Sequence, residues 1–575
     1  MPFGFGRRGC PGENLAMSVV GKNISNNLQS KHTQCFQWER VGEELVDMTE
    51  AEGLTMPRAK ELMAKCKPRQ EMVKLLSQSM QQSSNSLSEL GAAHCLAREH
   101  PFHMTSFRCQ LSWRTGISLN RSSTPTLGAG EGSNPTYISF VSPPPAAEEC
   151  LNKHDIVFAN RPRLLAGKHL GNNYTSLSWT SYGDHWRNLR RIASLEILSS
   201  HRLQTLHAIR VGEVKLMLKR LFSASENKKS VDMKALFFEL MLNVMMRMIA
   251  GKRYYGENVG EVEEARRFRE IVEETMRIGG ASNMGDFWPV LRWLKVGKKE
   301  KALRVLQENR DQFVQELIKG FRSAKDAENG GGDAEETGEK KKTLIEVLLT
   351  LQQKEPEYYK DEIIRSLMLV LLAAGTDTSV GTMEWALSLM LNNPSTLEKA
   401  KAEIDRIIGK ERLLDESDVA NLPYLRCIIS ETLRMFPAGP LLIPHESSEE
   451  CVVGGYRVPG GTMLIVNLWA IQNDSKNWED PRKFKPERFE GLEGTRDGYK
   501  LMPFGSGRRG CPGEGLAMRM VGFALGSIIQ CFDWSRISEE MVDLAEGPGL
   551  TMPKAQPLVA NCRARPGMMS LLSQI

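Results

Sequence analysis

The sequence predicts a mainly α-helical fold with small β-sheets. Between residues 203 and 325, apolar residues recur at helical spacing, and short breaks separate one amphipathic helix from the next. A longer and more apolar helix follows at about 362–390, with the composition of a helix buried inside a large domain. Short apolar runs bounded by glycine and proline at 442–462 indicate brief strands and turns. Helices are therefore expected to supply most of the core.

The composition supports a large folded domain and does not indicate nucleic-acid binding. The chain has 575 residues, 41% of them hydrophobic, so it can bury a sizeable core. Its formal net charge is +5 over 75 basic and 70 acidic residues, which is not the strongly basic balance of nucleic-acid-binding proteins. The 11 cysteines form no C-x-x-C pair, which argues against a zinc module or a disulfide scaffold and indicates a reducing compartment.

No targeting or membrane-spanning segment is expected from the sequence. Met1 leads directly into glycines and arginines, without the apolar run of a signal peptide. The most apolar internal run, residues 367–374, is much shorter than the roughly 20 residues that a membrane span needs.

An internal repeat links the two ends of the sequence. Residues 1–13, MPFGFGRRGCPGE, nearly duplicate residues 502–514, MPFGSGRRGCPGE. The match continues at 35–38 and 53–57, against 531–534 and 549–553. Residues 1–78 are therefore predicted to be a duplicated copy of the carboxyl-terminal fragment.

The segment between the repeat and the helical region has a different composition. Residues 79–135 are rich in serine, glycine, threonine and glutamine, which favours loop or disorder. We interpret this segment as a low-complexity linker or a damaged amino-terminal region. Residues 136–575, where the pattern becomes orderly, are predicted to form the catalytic domain.

Two helical motifs carry polar groups that suit chemistry. Trp186 and Arg190 are four residues apart and share a helix face, although an ordinary basic surface helix is an equally good interpretation. Within the long apolar helix, residues 374–378 read AGTDT, a run that helix propensity alone does not favour. An acid followed by an alcohol, Asp377 and Thr378, suits proton delivery to bound dioxygen, and a neighbouring glycine leaves room for it. The alternative is a kinked helix in which Asp377 is capped locally.

A candidate ion pair lies further along the chain. Glu431 and Arg434 are three residues apart on one helical face, so they can pair. Buried, such a pair needs further partners to offset the loss of solvation, and Arg488 could share the carboxylate.

A glycine-rich loop presents one cysteine just before a predicted helix. The glycines of residues 504–514, FGSGRRGCPGE, permit left-handed turns and close approach to a flat ligand. Backbone N–H groups and a following helix amino terminus favour the thiolate of Cys511. A thiolate held in this way is a suitable axial ligand for haem iron, whereas the alternative is a turn with an inert cysteine.

Taken together and in this order, the motifs resemble those of the cytochromes P450. The loop fills every fixed place of F-x-x-G-x-R-x-C-x-G, and W-x-x-x-R, A-G-x-D-T, E-x-x-R and P-E-R-F precede it. The resemblance implies a triangular helical prism around haem b, with Cys511 as the thiolate ligand. The cofactor-binding residues that it implies are Phe504, Gly505, Arg509, Gly513, Trp186, Arg190, His445, Ala374 and Gly375. It further implies Asp377 and Thr378 as the catalytic proton relay and Glu431, Arg434 and Arg488 as a structural triad.

Residues 160–167 and 182–192 are similar to plant members, and most of all to family 81, which includes isoflavone 2′- and 3′-hydroxylases. Relatives there also oxidise indole glucosinolates and lignans. The resemblance therefore implies a monooxygenase of secondary metabolism that takes a small hydrophobic or phenolic substrate and dioxygen. NADPH-cytochrome P450 reductase would dock near Arg508 and Arg519. The location implied is the cytosolic face of the endoplasmic reticulum membrane, although the expected anchor and first strands are not recognisable in this sequence.

Three alternatives remain open from the sequence. Cys10 could hold a second haem, but no second copy of the oxygen-side helix accompanies it. The chain could be a non-functional fusion product of tandem genes that does not fold or bind haem. The chain could also isomerise hydroperoxides without a reductase. Hydroperoxide isomerisation needs no proton relay, so the presence of Thr378 argues against this alternative.

Overall fold

The computed structural model divides the chain into two compact units, residues 1–101 and 102–575. The structure describes residues 36–40, 64–68, 117–121, 137–256, 262–279, 286, 298–329, 342–492 and 498–575. In the first unit, β1 (Phe36–Arg40) and β2 (Ala64–Pro68) form an antiparallel hairpin in which Trp38 lies opposite Cys66. Cys10 and the rest of the predicted repeat lie outside the described residues, so the boundaries 1–78 and 79–135 stay predictions.

The second unit is mainly helical, as predicted. Its helices are, in chain order, α1 (Pro144–Glu148), α2 (Leu165–His169), α3 (Asp184–Glu196), α4 (Ser200–Thr205), α5 (His207–Glu226), α6 (Met233–Ala250), α7 (Val262–Gly279), α8 (Lys298–Asn329), α9 (Leu344–Lys354), α10 (Asp361–Asn392), α11 (Pro394–Ile407), α12 (Pro423–Met435), α13 (Leu468–Asn473), α14 (Glu514–Cys531) and α15 (Met569–Leu572). Short 3-10 turns lie at Val157–Ala159, Glu416–Asn421, Pro486–Phe489, Gly498–Lys500, Gly507–Arg509 and Pro566–Met568, and a π turn at Glu149–Lys153.

Three small sheets accompany these helices. Their strands are β3 (Ile117–Arg121), β4 (Tyr137–Val141), β5 (Val231–Asp232), β6 (His445–Glu446), β7 (Cys451–Val453), β8 (Tyr456–Val458), β9 (Met463–Val466), β10 (Phe532–Arg536) and β11 (Val559–Ala564). The orders are β3-β4-β9-β6, β10-β11-β5 and β7-β8. In the first sheet β4 runs parallel to β9 and antiparallel to β3.

The strand β3 lies within the segment 79–135, interpreted as a low-complexity linker or a damaged amino-terminal region. Its residues pair with β4 from Ile117 opposite Val141 to Arg121 opposite Tyr137. The local composition did not favour a strand there. The pairing of β3 with β4, which itself pairs with β9, stabilises a strand that the local sequence does not favour.

The hairpin β10–β11 has the same register as β1–β2. Trp534 lies opposite Cys562, as Trp38 lies opposite Cys66, and Phe532 lies opposite Ala564, as Phe36 lies opposite Pro68. The two parts of the sequence repeat that the structure describes therefore form equivalent hairpins.

The core of the second unit surrounds α10. This 32-residue helix packs against α6, α12 and α14, and its side chains are buried along most of its length. By length and composition it is, among the described residues, the one helix that could cross a membrane, but a buried core helix passes the same test. Its apolar character is explained by the core that it organises.

Candidate active site

The Cys511 loop is closed by its own backbone. Gly505 N–H donates to the Met502 carbonyl at 2.9 Å, and Cys511 N–H donates to the Phe504 carbonyl at 2.8 Å. Gly505 and Gly507 have φ of 71° and 67°, the left-handed region that favours glycine. The chain then passes through Gly513 into α14. The loop thus presents the Cys511 sulfur immediately before the amino terminus of a buried helix.

The position of Gly507 admits no side chain. A Cβ there would overlap the Leu151 carbonyl oxygen and approach Asp155 Oδ1 to 2.7 Å. Asp155 in turn accepts hydrogen bonds from the backbone and the guanidinium of Arg508. The loop is therefore fastened to the turn at Glu149–Lys153 and the residues that follow it.

We expect Gly507→Ala to reduce haem content severely, because the loop would have to move away from Leu151 and Asp155. Gly409→Ala is the matched control. Gly409 also has a positive φ, 78°, but nothing lies within 4 Å of its Cβ position, so only the backbone cost of roughly 1–2 kcal/mol applies. Haem per chain and thermal midpoint of the purified variants measure the difference. Equal losses in the two variants would contradict the close-packing argument.

The electrostatics at Cys511 differ from the prediction of a favoured thiolate. The thiol is exposed on one side, but the packed loop desolvates it, and this burial raises its pKa. The backbone N–H groups of Gly513 and Glu514 and the nearby Arg190 oppose that rise without overcoming it. The expectation is therefore wrong for the free thiol. Coordination of a metal displaces a thiol proton, so the site remains suited to a metal ligand.

Helix α3 brings Trp186 and Arg190 to this loop. Arg190 Nη2 donates to the Gly510 carbonyl at 2.6 Å, next to the cysteine. The Arg509 guanidinium lies over the Trp186 ring at 4.6 Å, and that of Arg190 lies 5.9 Å from the same ring. Burial lowers the pKa of Arg190. The pair thus belongs to a buried site and not to an ordinary surface helix.

Arg509 and His445 lie in one buried basic cluster with Arg161. Arg509 donates to the carbonyls of Ala159 and Thr180 at 2.7 and 2.6 Å, and burial lowers its pKa to about 10. His445 Nδ1 donates to the Phe158 carbonyl at 2.7 Å. Burial, together with the Arg161 and Arg509 cations, holds the pKa of His445 well below its usual range.

Arg161 completes the cluster. Its Nη1 donates to the carbonyls of Ile443 and Pro444 at 2.8 and 2.7 Å. Its Nε is buried and has no hydrogen-bond partner among the described residues. Burial lowers the pKa of this guanidinium, and the Arg509 cation adds to the effect. The hydrogen bonds described for Arg161, Arg190 and Arg509 go to backbone carbonyls and not to carboxylates, so the cluster fits an anionic ligand.

These residues fit haem b. Its two propionate carboxylates match the basic cluster, including the orphaned Nε of Arg161. Ala374 is exposed in the middle of the mostly buried α10, and Cys511 is exposed at the start of the buried α14. An apolar helix face and a cysteine sulfur are the two surfaces that a thiolate-ligated haem requires.

The polar stretch of α10 is stabilised by its own hydroxyl groups and by one distant residue. Thr376 and Thr378 donate to the carbonyls of Leu372 and Ala374, four residues earlier, each at 2.8 Å. Thr551 Oγ1 donates to Asp377 Oδ2 at 2.8 Å. Burial raises the pKa of Asp377, while the Thr551 hydrogen bond opposes the rise. Asp377 is therefore bound to a residue of another segment and is not capped locally.

Gly375 lies where α10 approaches the neighbouring helix α6. A Cβ at this position would lie 2.6 Å from Met245 Cε and 2.7 Å from its Sδ. The glycine therefore makes room for Met245, and its predicted role of leaving room for dioxygen stays a prediction. The close approach of α6 and α10 explains why a glycine lies in the middle of this helix.

The structure brings the three triad residues together. Arg434 donates to both oxygens of Glu431, through Nε at 2.7 Å and Nη2 at 2.9 Å. Arg488 Nε donates to Glu431 Oε1 at 3.1 Å. The Glu431 and Arg434 side chains are fully buried, with 0% exposure each.

Comparison with known proteins decides the family. The family model described as "Cytochrome P450" matches residues 129–560, more than half of the chain. The chain belongs to the cytochrome P450 family. It is 48% identical over 440 residues to a (+)-piperitol/(+)-sesamin synthase of Sesamum radiatum, covering 76% of this chain and 84% of that protein. It is 44% identical over 483 residues to an isoflavone 3′-hydroxylase of Medicago truncatula, covering 83% and 91%.

A solved structure shares the fold of this P450. A zebrafish cytochrome P450 with progesterone superposes with a TM-score of 0.63 at 24% identity, over 76% of this chain and 96% of that one. The predicted family, with its plant family 81 relatives, and the predicted fold are confirmed. The chain is a P450 monooxygenase, and its cofactor is haem b.

Two residues of this P450 site escaped the sequence reasoning. Arg161 stands in the run IVFANRP, where one charge among apolar residues is a weak signal of a buried cation. Thr551 lies 174 residues from the carboxylate that it binds, and nothing local distinguishes it from other loop threonines. Only the fold shows what each of them contacts.

Proposed function

We propose that this P450 inserts one oxygen atom of dioxygen into a small aromatic or phenolic plant metabolite of the isoflavonoid type. The observation that carries the proposal is the 44% identity to an isoflavone 3′-hydroxylase over 91% of that protein's length. Lignans are a second candidate substrate class, because the (+)-piperitol/(+)-sesamin synthase is 48% identical to this chain. The name of the synthase states its products and not an oxygen insertion, so the proposed reaction rests on the hydroxylase.

In this proposal the chain's residues divide the work between binding and proton transfer. Cys511 would supply the sulfur ligand, with Phe504, Gly505 and Gly513 shaping its loop, and Ala374 and Gly375 of α10 would contact the haem. Arg161, Arg190, Arg509, Trp186 and His445 would hold its propionates. When bound, haem b supplies oxygen activation and insertion. Glu431, Arg434 and Arg488 hold the fold around the loop.

Asp377 and Thr378 move the protons in this scheme. The raised pKa of Asp377 brings its carboxyl closer to the range in which it can both hold and release a proton. Thr378 is half-buried, and its hydroxyl donates to the Ala374 carbonyl, so its oxygen is free to accept a hydrogen bond from a proton donor in the site. This pair supports a monooxygenase over a hydroperoxide isomerase.

Electrons are proposed to come from NADPH through a cytochrome P450 reductase at the endoplasmic reticulum surface. Arg519 keeps 44% of its side chain exposed on α14, with Glu416 3.4 Å away. Arg508 is 31% exposed and contacts Asp155 and Tyr182. Arg519 is thus the more available of the two basic residues for an acidic partner.

Turnover with purified reductase tests the proposal. We expect NADPH-dependent addition of one oxygen atom, traced from ¹⁸O₂ by mass spectrometry, to an isoflavone. A lignan is the competing substrate, and its conversion is measured as NADPH-dependent product formation without reference to the label. Thr378→Val should lower product per NADPH about tenfold or more, because the proton path loses its hydroxyl. Thr376→Val is the control, since it removes a similar backbone hydrogen bond from a buried position. An isoflavone product without the label, or product formed without NADPH, would contradict the proposal.

A further inference from the structure

The loop that carries Thr551 is fastened to one face of α10. Besides the Thr551–Asp377 bond, Trp385 Nε1 donates to the Met552 carbonyl at 2.7 Å. Leu558 N–H donates to Glu384 Oε1 at 2.8 Å. Asp377 and Glu384 are seven residues apart, so they lie two turns apart on the same helix face. The loop is therefore held where its threonine meets the carboxylate.

A small cavity adjoins this contact. It has a volume of about 20 Å³, and its mainly apolar lining includes Asp377, Thr378 and Thr551. This volume is sufficient for one water molecule, and the polar residues of the lining are candidates for the two to four partners that a buried water needs. The Asp377 carboxylate thus has a position for water on one side, and the Thr551 hydroxyl holds the carboxylate in place.

The charged groups around Asp377 come from three helices. Lys234 of α6 lowers its pKa and Glu273 of α7 raises it, while Glu384 lies further along α10 at the same cavity. Lys554 faces Glu384. Burial has the largest effect on Asp377, and the Thr551 hydrogen bond is the largest of the opposing influences.

We propose that Thr551 is a positioning residue for Asp377. Its hydroxyl fixes the carboxylate at the edge of the water-sized cavity and stabilises the ionised form, so that Asp377 releases its proton toward Thr378 and regains one from the solvent side. This inference rests on the proposed function, in which Asp377 relays protons. It assigns a residue of a distant loop to the proton path.

Coupling efficiency of the holoenzyme is the first test. Thr551→Val keeps the size and removes the hydroxyl, and we expect the share of NADPH lost as hydrogen peroxide to rise about threefold. Thr551→Ser restores the donor and should return that share to the wild-type value. Should Val yield too little holoenzyme, Thr551→Ala gives the same comparison. The inference would be overturned if Thr551→Val coupled NADPH to product as well as the wild type does, or if Thr551→Ser lost as much NADPH to hydrogen peroxide as Thr551→Val.

Thermal unfolding of the holoenzyme supplies a readout that does not depend on turnover. Removing the donor raises the pKa of Asp377 further, and a raised carboxyl pKa costs stability as the pH rises through it. We expect Thr551→Val to lower the midpoint more at pH 8.5 than at pH 5.5. In an Asp377→Asn background the effect should be smaller and independent of pH. An equal effect at both pH values in both backgrounds would contradict the proposed bond.

The two levels of failure are distinguishable. A wild-type protein without the reduced carbon-monoxide band of thiolate-bound haem would refute the proposed function. A normal band with unchanged coupling in Thr551→Val would refute only the role of Thr551.

Discussion

Cys511→Ser is expected to abolish the reduced carbon-monoxide band of thiolate-bound haem. The sulfur is presented by a loop that is closed at Phe504 and cannot shift without disturbing the contact of Gly507 with Leu151. Serine keeps the size but gives a far weaker ligand, so the thiolate that produces this band is lost. The difference spectrum of purified protein, scaled to chain concentration, measures the loss.

Cys10→Ser is the matched control for this experiment. Cys10 occupies the equivalent place in the repeated sequence, RRGCPGE, near the amino terminus. We expect one haem per chain before and after this substitution, because the oxygen-side helix α10 is present once in the second unit. Loss of half the band in Cys10→Ser, or retention of the full band in Cys511→Ser, would contradict the assignment of the ligand.

The long elements could be predicted because their signals are local. Helix α10 is apolar over many turns, and its bounds, Asp361–Asn392, agree closely with the predicted 362–390. Glu431 and Arg434 could be paired from spacing alone, since residues three apart share a helix face. Trp186 and Arg190 followed from the same rule.

The contacts that decide the chemistry could not be predicted in this way. Gly375 meets Met245, 130 positions earlier in the chain, and Asp377 meets Thr551, which comes much later. The Cys511 pKa depends on desolvation by packing, which outweighs the nearby N–H groups that the sequence revealed. Strand β3 likewise depends on pairing with β4 and not on its own propensity. In each case the deciding partner is brought close only by the fold.

The triad illustrates how a contact that spacing predicts becomes essential once it is buried. Arg434 also donates to the carbonyls of Gln472 and Pro481 at 2.8 Å each, and Glu431 accepts from Lys485 N–H at 3.0 Å. These bonds join α12 to α13 and to the segment that leads toward the cysteine loop. The pair therefore fixes the tertiary arrangement, whereas an exposed pair of the same spacing fixes little.

Glu431→Gln is expected to destabilise the protein by about 3–5 kcal/mol, because it leaves the buried Arg434 guanidinium without its counter-charge. We expect little soluble holoenzyme and a strongly lowered thermal midpoint, measured by circular dichroism and haem content. Glu263→Gln is the matched control, since Glu263 pairs with Arg266 at the same spacing on α7 but both side chains are exposed. That variant should unfold like the wild type. Similar midpoints for the two variants would show that burial does not set the strength of this ion pair, and the structural role given to the triad would fail.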